Sequence, residues 1–156
     1  MKKKSIDALA EPLSLSRLGG DPTSLPPKTL QPMTLAEGYQ VQQAVHDRLT
    51  TKGFGQLIGH KIGCTTKVMQ DFLSIEHPCS GEIFESTVYQ RTVTLNLSDF
   101  HRIGVECEIA ARLSTDLSES STPYDGKNIK NSVGSLMAAI ELVDDRYVDY
   151  PSFPTP

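Results

Sequence analysis

The sequence predicts an α+β fold in which helices pack against a mixed, largely antiparallel sheet. Apolar residues recur at helical spacing in residues 34–51 and 128–139, which predicts two amphipathic helices. Apolar residues alternate with small or polar ones in residues 56–63 and 102–113, which predicts strands with two distinct faces. A length of 156 residues with 38% hydrophobic residues suits one domain with a core of ordinary size.

Composition limits the classes of partner and the compartment. The formal net charge is −4 and the only basic run is residues 2–4, so we expect no surface for nucleic acid. No long apolar segment is present, which argues against a signal peptide and a membrane span. The cysteines Cys64, Cys79 and Cys107 are odd in number and widely spaced, as expected for free thiols in a reducing compartment. We therefore expect a cytoplasmic protein.

Residues 1–33 are predicted to form an N-terminal arm or linker. They contain five of the ten prolines and the Gly19-Gly20 pair, although a short helix is expected near residues 5–18. Thr34 and Glu37 then have the spacing of a capping box, which predicts the start of a helix. The boundary between the arm and the folded part is therefore placed at residue 34.

Lys61 is the first candidate for chemistry. It shares a strand face with Gly59 and Gly63, so its ammonium has room to approach a ligand closely. A solvated surface lysine is the ordinary interpretation of such a residue. His60 lies on the other face with no partner at metal-ligand spacing, and we interpret it as a packing or surface residue.

The next segment is predicted to contain only short elements. A helix is expected at residues 67–73, capped by Thr65 or Thr66, and is followed by a turn at 77–81. Extended segments are expected at 82–89 and 92–97. Cys79 lies in the turn without a basic neighbour in the sequence to lower its pKa, so we interpret it as an ordinary thiol.

Glu106 and Glu108 are the second set of candidates. They share one face of the predicted strand 102–113, with Cα atoms roughly 6.5 Å apart. Two adjacent carboxylates repel, so burying them requires a cation or a proton between them, whereas exposed glutamates need neither. Glu141 is the one charge in the apolar run 140–143. Three carboxylates would form a hard oxygen site of the kind that suits Mg²⁺ or Mn²⁺.

Four segments together resemble the hydratase and decarboxylase branch of the fumarylacetoacetate hydrolase superfamily. They are HKIGCTTKVMQ at 60–70, the Pro78, Gly81 and Phe84 turn, GVECEIAARL at 104–113 and AAIELVDDRY at 138–147. The resemblance covers about residues 34–150 and implies the β core of that superfamily. By match to the motifs of the branch, it implies that Glu106, Glu108 and Glu141 bind a divalent metal and that Lys61 is the active-site lysine.

The resemblance also implies an activity. Members of this branch are lyases, among them hydratases that add water to a 2-hydroxy-2,4-dienoate or its 2-oxo-enoate tautomer in aromatic meta-cleavage catabolism. A cation chelated by the oxygens of a small 2-oxo acid acts as a Lewis acid and stabilises the enolate. Mg²⁺ or Mn²⁺ is the expected metal, no organic cofactor is expected, and full-length members are homo-oligomers.

Three alternatives stay open. They are a 2-oxo acid decarboxylase of the same branch, a fumarylacetoacetate-type C–C hydrolase and an inactive truncated fragment. Hydratases of the branch often carry an acidic residue where Cys79 stands, so the sequence leaves hydration and decarboxylation undecided. Members of the branch also continue past the position of Pro156. Residues 34–156 are therefore expected to form the N-terminal portion of the catalytic domain, with a fold incomplete at the C-terminus.

Overall fold

The computed structural model describes residues 1–19, 21–118 and 122–149. The chain divides into two units, the first formed by residues 1–101 with the segment from Asp145 onwards and the second by residues 102–144. The first unit contains the helices α1 (Lys3–Arg17), α2 (Leu35–Leu49) and α3 (Lys67–Leu73) and the strands β1 (Leu57–Gly63) and β2 (Cys79–Phe84). The second unit contains the strands β3 (Gly104–Leu113) and β4 (Val133–Val143).

The start of α2 has the predicted cap. The Thr34 hydroxyl accepts a hydrogen bond from the Glu37 N–H at 3.3 Å. The Glu37 carboxylate accepts from the Met33 N–H at 2.9 Å, one residue before the position that a reciprocal capping box uses. This bond is the main reason why the pKa of Glu37 is lowered. Thr66 caps α3 in the same way, accepting from the Met69 N–H.

The core of the first unit lies between α1, α2 and β2. Its buried residues are Ala10, Val45, Leu49 and Phe84. The Phe84 ring meets the ring edges of His46 and Phe54, each with a centroid distance of 5.4 Å. Two helices and one strand thus converge on a single aromatic side chain, so the core depends on close packing around Phe84.

β1 and β2 form an antiparallel ribbon that lies on α2. The Ser80 N–H donates to the Tyr39 hydroxyl at 3.1 Å, and His46 Nδ1 lies 2.7 Å from Glu82 Oε2. Because side chains alternate along a strand, the residues that contact α2 leave Lys61, opposite Gly81, on the other face. The ribbon therefore packs with one face and presents Lys61 from the other.

β3 and β4 form a second antiparallel ribbon, paired from Gly104 opposite Val143 to Leu113 opposite Val133. One face is apolar and exposed: Val105, Ile109, Leu136 and Ile140 are 65%, 79%, 68% and 69% accessible. Glu106 and Glu108 lie on the opposite face. The ribbon is therefore amphipathic, with one apolar and one acidic face.

Several predicted elements are confirmed and two are wrong. Helices occur where they were expected near residues 5–18, 34–51 and 67–73, and strands at 56–63 and 102–113. The helix predicted at 128–139 is instead a 3₁₀ turn (Ile129–Ser132) followed by β4. The apolar spacing there is compatible with either a helix or a strand, and pairing with β3 stabilises the strand. The segment 92–97 forms no strand, and the extended segment at 82–89 ends its pairing at Phe84.

None of the helices in the described parts of the chain is long and apolar enough to span a bilayer.

Replacing Leu49 with alanine tests the core of the first unit. Leu49 is 1% exposed, and its truncation should lower the free energy of unfolding by about 2–5 kcal/mol because it leaves a cavity. Leu15→Ala, on α1 and 57% exposed, is the matched control and should change stability by less than about 0.5 kcal/mol. Urea unfolding measures both; equal losses would contradict this core.

Candidate metal centre

Three carboxylates meet on the acidic face of the β3–β4 ribbon. Glu106 pairs directly with Glu141 across the two strands, and Glu108 follows two residues along β3 on the same face. One carboxylate oxygen from each of the three lies within 4.8 Å of the other two. Glu106 and Glu108 are exposed and Glu141 is half-buried. The ribbon thus gathers three negative charges at one place.

The donor set fits a divalent cation. Oxygen ligands lie about 2.0–2.1 Å from Mg²⁺, so ligands of one ion are about 3 Å apart when adjacent and about 4 Å when opposite. Carboxylate oxygens within 4.8 Å reach that spacing through small side-chain rotations. Carboxylate oxygen is also the ligand type that Mg²⁺ and Mn²⁺ prefer. Three protein ligands would leave coordination positions for water or a bound molecule.

A cation would relieve repulsion between these carboxylates. Like charges directly opposite each other on paired strands destabilise the sheet, and Glu106 and Glu141 occupy such positions. Glu141 was expected within a buried run, but its neighbours Ile140 and Leu142 are 69% and 39% exposed. Solvent screening therefore moderates the repulsion in this structure.

The register that aligns the carboxylates depends on residues to which the sequence analysis gave no role. A Cβ atom at Gly104 would lie 2.8 Å from Val143 Cγ2, so a larger residue here would displace the Val143 side chain on the paired strand. The Arg102 N–H donates to Asp144 Oδ1 at 2.6 Å just beyond the last pair. These contacts hold together the end of the ribbon that lies two pairs from Glu106 and Glu141.

Lys61 lies in the first unit, as the fifth of the seven residues of β1. It pairs with Gly81, and a Cβ atom there would lie 3.1 Å from Lys61 Cγ and 3.3 Å from Cδ. Because Gly81 has no side chain, the aliphatic part of Lys61 can lie over β2 at this position. The sequence had indicated small neighbours along β1; the glycine on the opposite strand follows only from the pairing. A role for Lys61 in the site stays a prediction.

Several curated proteins with sequences similar to this chain are hydratases. No family model matches the chain. The 2-keto-4-pentenoate hydratase of Paraburkholderia xenovorans is 26% identical over 150 residues, 96% of this chain and 55% of that protein. The enzyme of the same name from Paraburkholderia phymatum is 31% identical over 72% of the chain and 42% of that protein. The 2-hydroxyhexa-2,4-dienoate hydratase of Comamonas testosteroni is 28% identical over 120 residues.

Solved structures with a similar fold include 4-oxalocrotonate decarboxylase from Pseudomonas putida G7. Its complex with magnesium and adipate has a TM-score of 0.83, with 20% identity, over 96% of this chain and 56% of that one. Its complex with calcium and acetate has a TM-score of 0.82. At this level of identity the likeness concerns the fold.

The expected α+β fold is therefore confirmed, and it is the fold of 4-oxalocrotonate decarboxylase. The predicted resemblance is confirmed as well: the relatives found are enzymes of the 2-keto-4-pentenoate hydratase and 4-oxalocrotonate decarboxylase branch. The chain spans about half the length of the curated relatives it matches.

Glu106→Gln separates a metal site from a merely acidic surface. Mn²⁺ should raise the melting temperature of the wild-type chain, since a ligand at about a hundred times its dissociation constant adds about 2.7 kcal/mol. The variant should lose that rise but melt no lower than wild type without metal, because it removes a like-charge pair. Differential scanning calorimetry measures both effects.

Glu76→Gln is the matched control, an exposed glutamate outside the three-carboxylate cluster. It should keep the full response to Mn²⁺. Equal responses in Glu106→Gln and Glu76→Gln would contradict a metal centre at this ribbon.

Proposed function

We propose that this chain is the metal-binding portion of a divalent-cation-dependent lyase, a hydratase that adds water to a 2-hydroxy-2,4-dienoate or its 2-oxo-enoate tautomer. The observation that carries the proposal is the convergence of Glu106, Glu108 and Glu141 within 4.8 Å. It is supported by relatives named as hydratases of 2-keto-4-pentenoate and 2-hydroxyhexa-2,4-dienoate. We place the reaction in the meta-cleavage catabolism of aromatic compounds.

The three glutamates are proposed to hold Mg²⁺ or Mn²⁺ and to leave part of its coordination sphere to the substrate. The bound cation would supply Lewis-acid polarisation of the oxygens of a 2-oxo acid. The ribbon fixes the direction of the three side chains, because Glu106 and Glu141 project from paired backbone positions. Placing such ligands on strands rather than on a loop limits their movement.

Lys61 is proposed as the residue that transfers protons. Its match to the lysine of the branch supports the role, as do the glycines beside its side chain. Gly81 lets the stem of Lys61 cross β2, and Gly59 and Gly63 flank it on β1. A long side chain with a terminal ammonium in such a position can reach a bound molecule and donate or accept a proton.

Decarboxylation of a 2-oxo acid is the second candidate. The fold is that of 4-oxalocrotonate decarboxylase, and the same metal site would serve both reactions because each passes through a stabilised enolate. Cys79 stands where the hydratases of the branch often carry an acidic residue. A half-buried thiol is a poorer acid–base group for activating water than a carboxylate.

We further propose that residues 34–156 form the N-terminal portion of the catalytic domain in a cytoplasmic homo-oligomer. Residues 1–33 are proposed as its arm, whose helix α1 packs into the core of the first unit. The exposed apolar face of the β3–β4 ribbon supports assembly, because contiguous apolar surface of this kind is usually covered. The proposed partners are small-molecule 2-oxo acids, and the net charge of −4 disfavours nucleic acid and anionic membranes.

Turnover by the wild-type chain and by Lys61→Ala tests the proposed activity. With Mn²⁺ present, the wild-type chain should consume 2-hydroxypenta-2,4-dienoate. The loss of this substrate is measured by ultraviolet absorbance. Lys61→Ala should lower the rate by at least about a hundredfold, the usual contribution of a general acid or base. The variant should keep the rise in melting temperature with Mn²⁺, because Lys61 is not a ligand.

Lys28→Ala removes an exposed lysine elsewhere in the first unit and should retain wild-type turnover. Release of CO₂ from 4-oxalocrotonate with no hydration would favour the decarboxylase, and hydrolysis of an acylpyruvate would favour a C–C hydrolase. If the wild-type chain turned over none of the three substrates, the proposed lyase activity would be contradicted. The remaining alternative would then be an inactive fragment.

A further inference from the structure

Cys64 and Cys79 lie together at one end of the β1–β2 ribbon. Cys79 is the first residue of β2 and pairs with Gly63, the last residue of β1, and Cys64 follows Gly63 directly. Paired Cα atoms in antiparallel strands are about 5 Å apart and successive ones 3.8 Å, which places the Cα atoms of the two cysteines about 6 Å apart. That separation is within the range found for disulfides.

The two thiols are neighbours in the fold. Both residues are half-buried, and Cys64 is close enough for its charge to affect Cys79. Burial is the largest cause of the raised pKa of the Cys79 thiol, and the neighbouring Cys64 raises it further. The two side chains therefore share one partly buried environment.

The backbone holds this arrangement at both positions. Cys64 has a φ of +56°, a left-handed conformation that is uncommon for a residue other than glycine. Gln70 Nε2 of α3 donates to the Cys64 carbonyl at 2.9 Å and anchors that turn. Cys79 is fixed by its pairing in the ribbon. The backbone therefore keeps the two cysteines next to each other at this end of the ribbon.

We propose that Cys64 and Cys79 are a modification site, at which a small-molecule disulfide such as oxidised glutathione installs a reversible intramolecular disulfide. The Cys64 thiolate attacks one sulfur of the reagent, forms a mixed disulfide and releases one thiol of glutathione. Cys79 then loses its proton and attacks Cys64 Sγ, which releases the second thiol. The protein dithiol is oxidised by two electrons and one molecule of oxidised glutathione is reduced to two thiols.

A disulfide at this position should stabilise the β1–β2 ribbon. Cys79 shares its strand face with Gly81, the residue that makes room for the stem of Lys61. A disulfide at this end would tie the turn after β1 to the start of β2. The oxidised form should therefore melt at a higher temperature than the reduced form, because a cross-link restricts the unfolded chain.

The experiment uses the 156-residue chain carrying Cys107→Ser, which removes the exposed third thiol. The protein is equilibrated with reduced and oxidised glutathione, quenched with acid, alkylated and mapped by mass spectrometry. We expect one Cys64–Cys79 cross-link within the monomer, reversed by dithiothreitol. It should form in the native protein at about tenfold less oxidised glutathione than in guanidinium chloride, because the fold holds the thiols together.

Cys79→Ser and Cys64→Ser in the same background are the matched controls. Cys79→Ser should accumulate glutathione on Cys64, whereas Cys64→Ser should react more slowly because burial raises the pKa of the Cys79 thiol. The proposal is overturned if native and denatured chains form the cross-link equally readily, if both cysteines carry glutathione, or if cross-links form only between chains. None of these outcomes depends on catalytic activity.

Discussion

The register of β3 against β4 is the constraint on which the candidate metal centre depends. It places Glu106 opposite Glu141, and the alternation of side chains then brings Glu108 to the same face. A shift by one residue would move Glu141 to the apolar face and separate the cluster. Gly104 and the bond from the Arg102 N–H to Asp144 hold this register at one end. The positions of the three carboxylates thus depend on residues that are not themselves candidate metal ligands.

The two ribbons differ in how much of their apolar surface is buried within their own unit. The β1–β2 ribbon buries one face on α2, where Phe84 joins the core with Leu49. The β3–β4 ribbon keeps Ile109, Leu136 and Ile140 exposed. A two-stranded ribbon alone is marginally stable in water, and the chain spans about half the length of its relatives. Covering the apolar face would stabilise the same strands that position the glutamates.

The sequence predicted what local chemistry determines. Thr34 and Glu37 indicated the start of α2, and alternation alone placed Glu106 and Glu108 on one face of a strand. It failed where a partner strand decides: the apolar spacing of residues 128–139 suits a helix, yet pairing with β3 makes most of it β4. For the same reason the sequence grouped Glu141 with Glu106 and Glu108 without indicating that Glu141 pairs with Glu106. The sequence did not indicate that Cys64 lies near Cys79 either, because their proximity arises from the pairing of Gly63 with Cys79.

Residue-resolved paramagnetic broadening by Mn²⁺ tests the central claim most directly. A two-dimensional amide spectrum of the isotopically labelled chain would be recorded during addition of substoichiometric Mn²⁺, with Mg²⁺ as the diamagnetic reference. The account predicts that the amides nearest Glu106, Glu108 and Glu141 lose intensity first and together, at both strands of the ribbon. Broadening that begins at other acidic residues, or affects only one of the two strands, would contradict a shared site built by the register of β3 and β4.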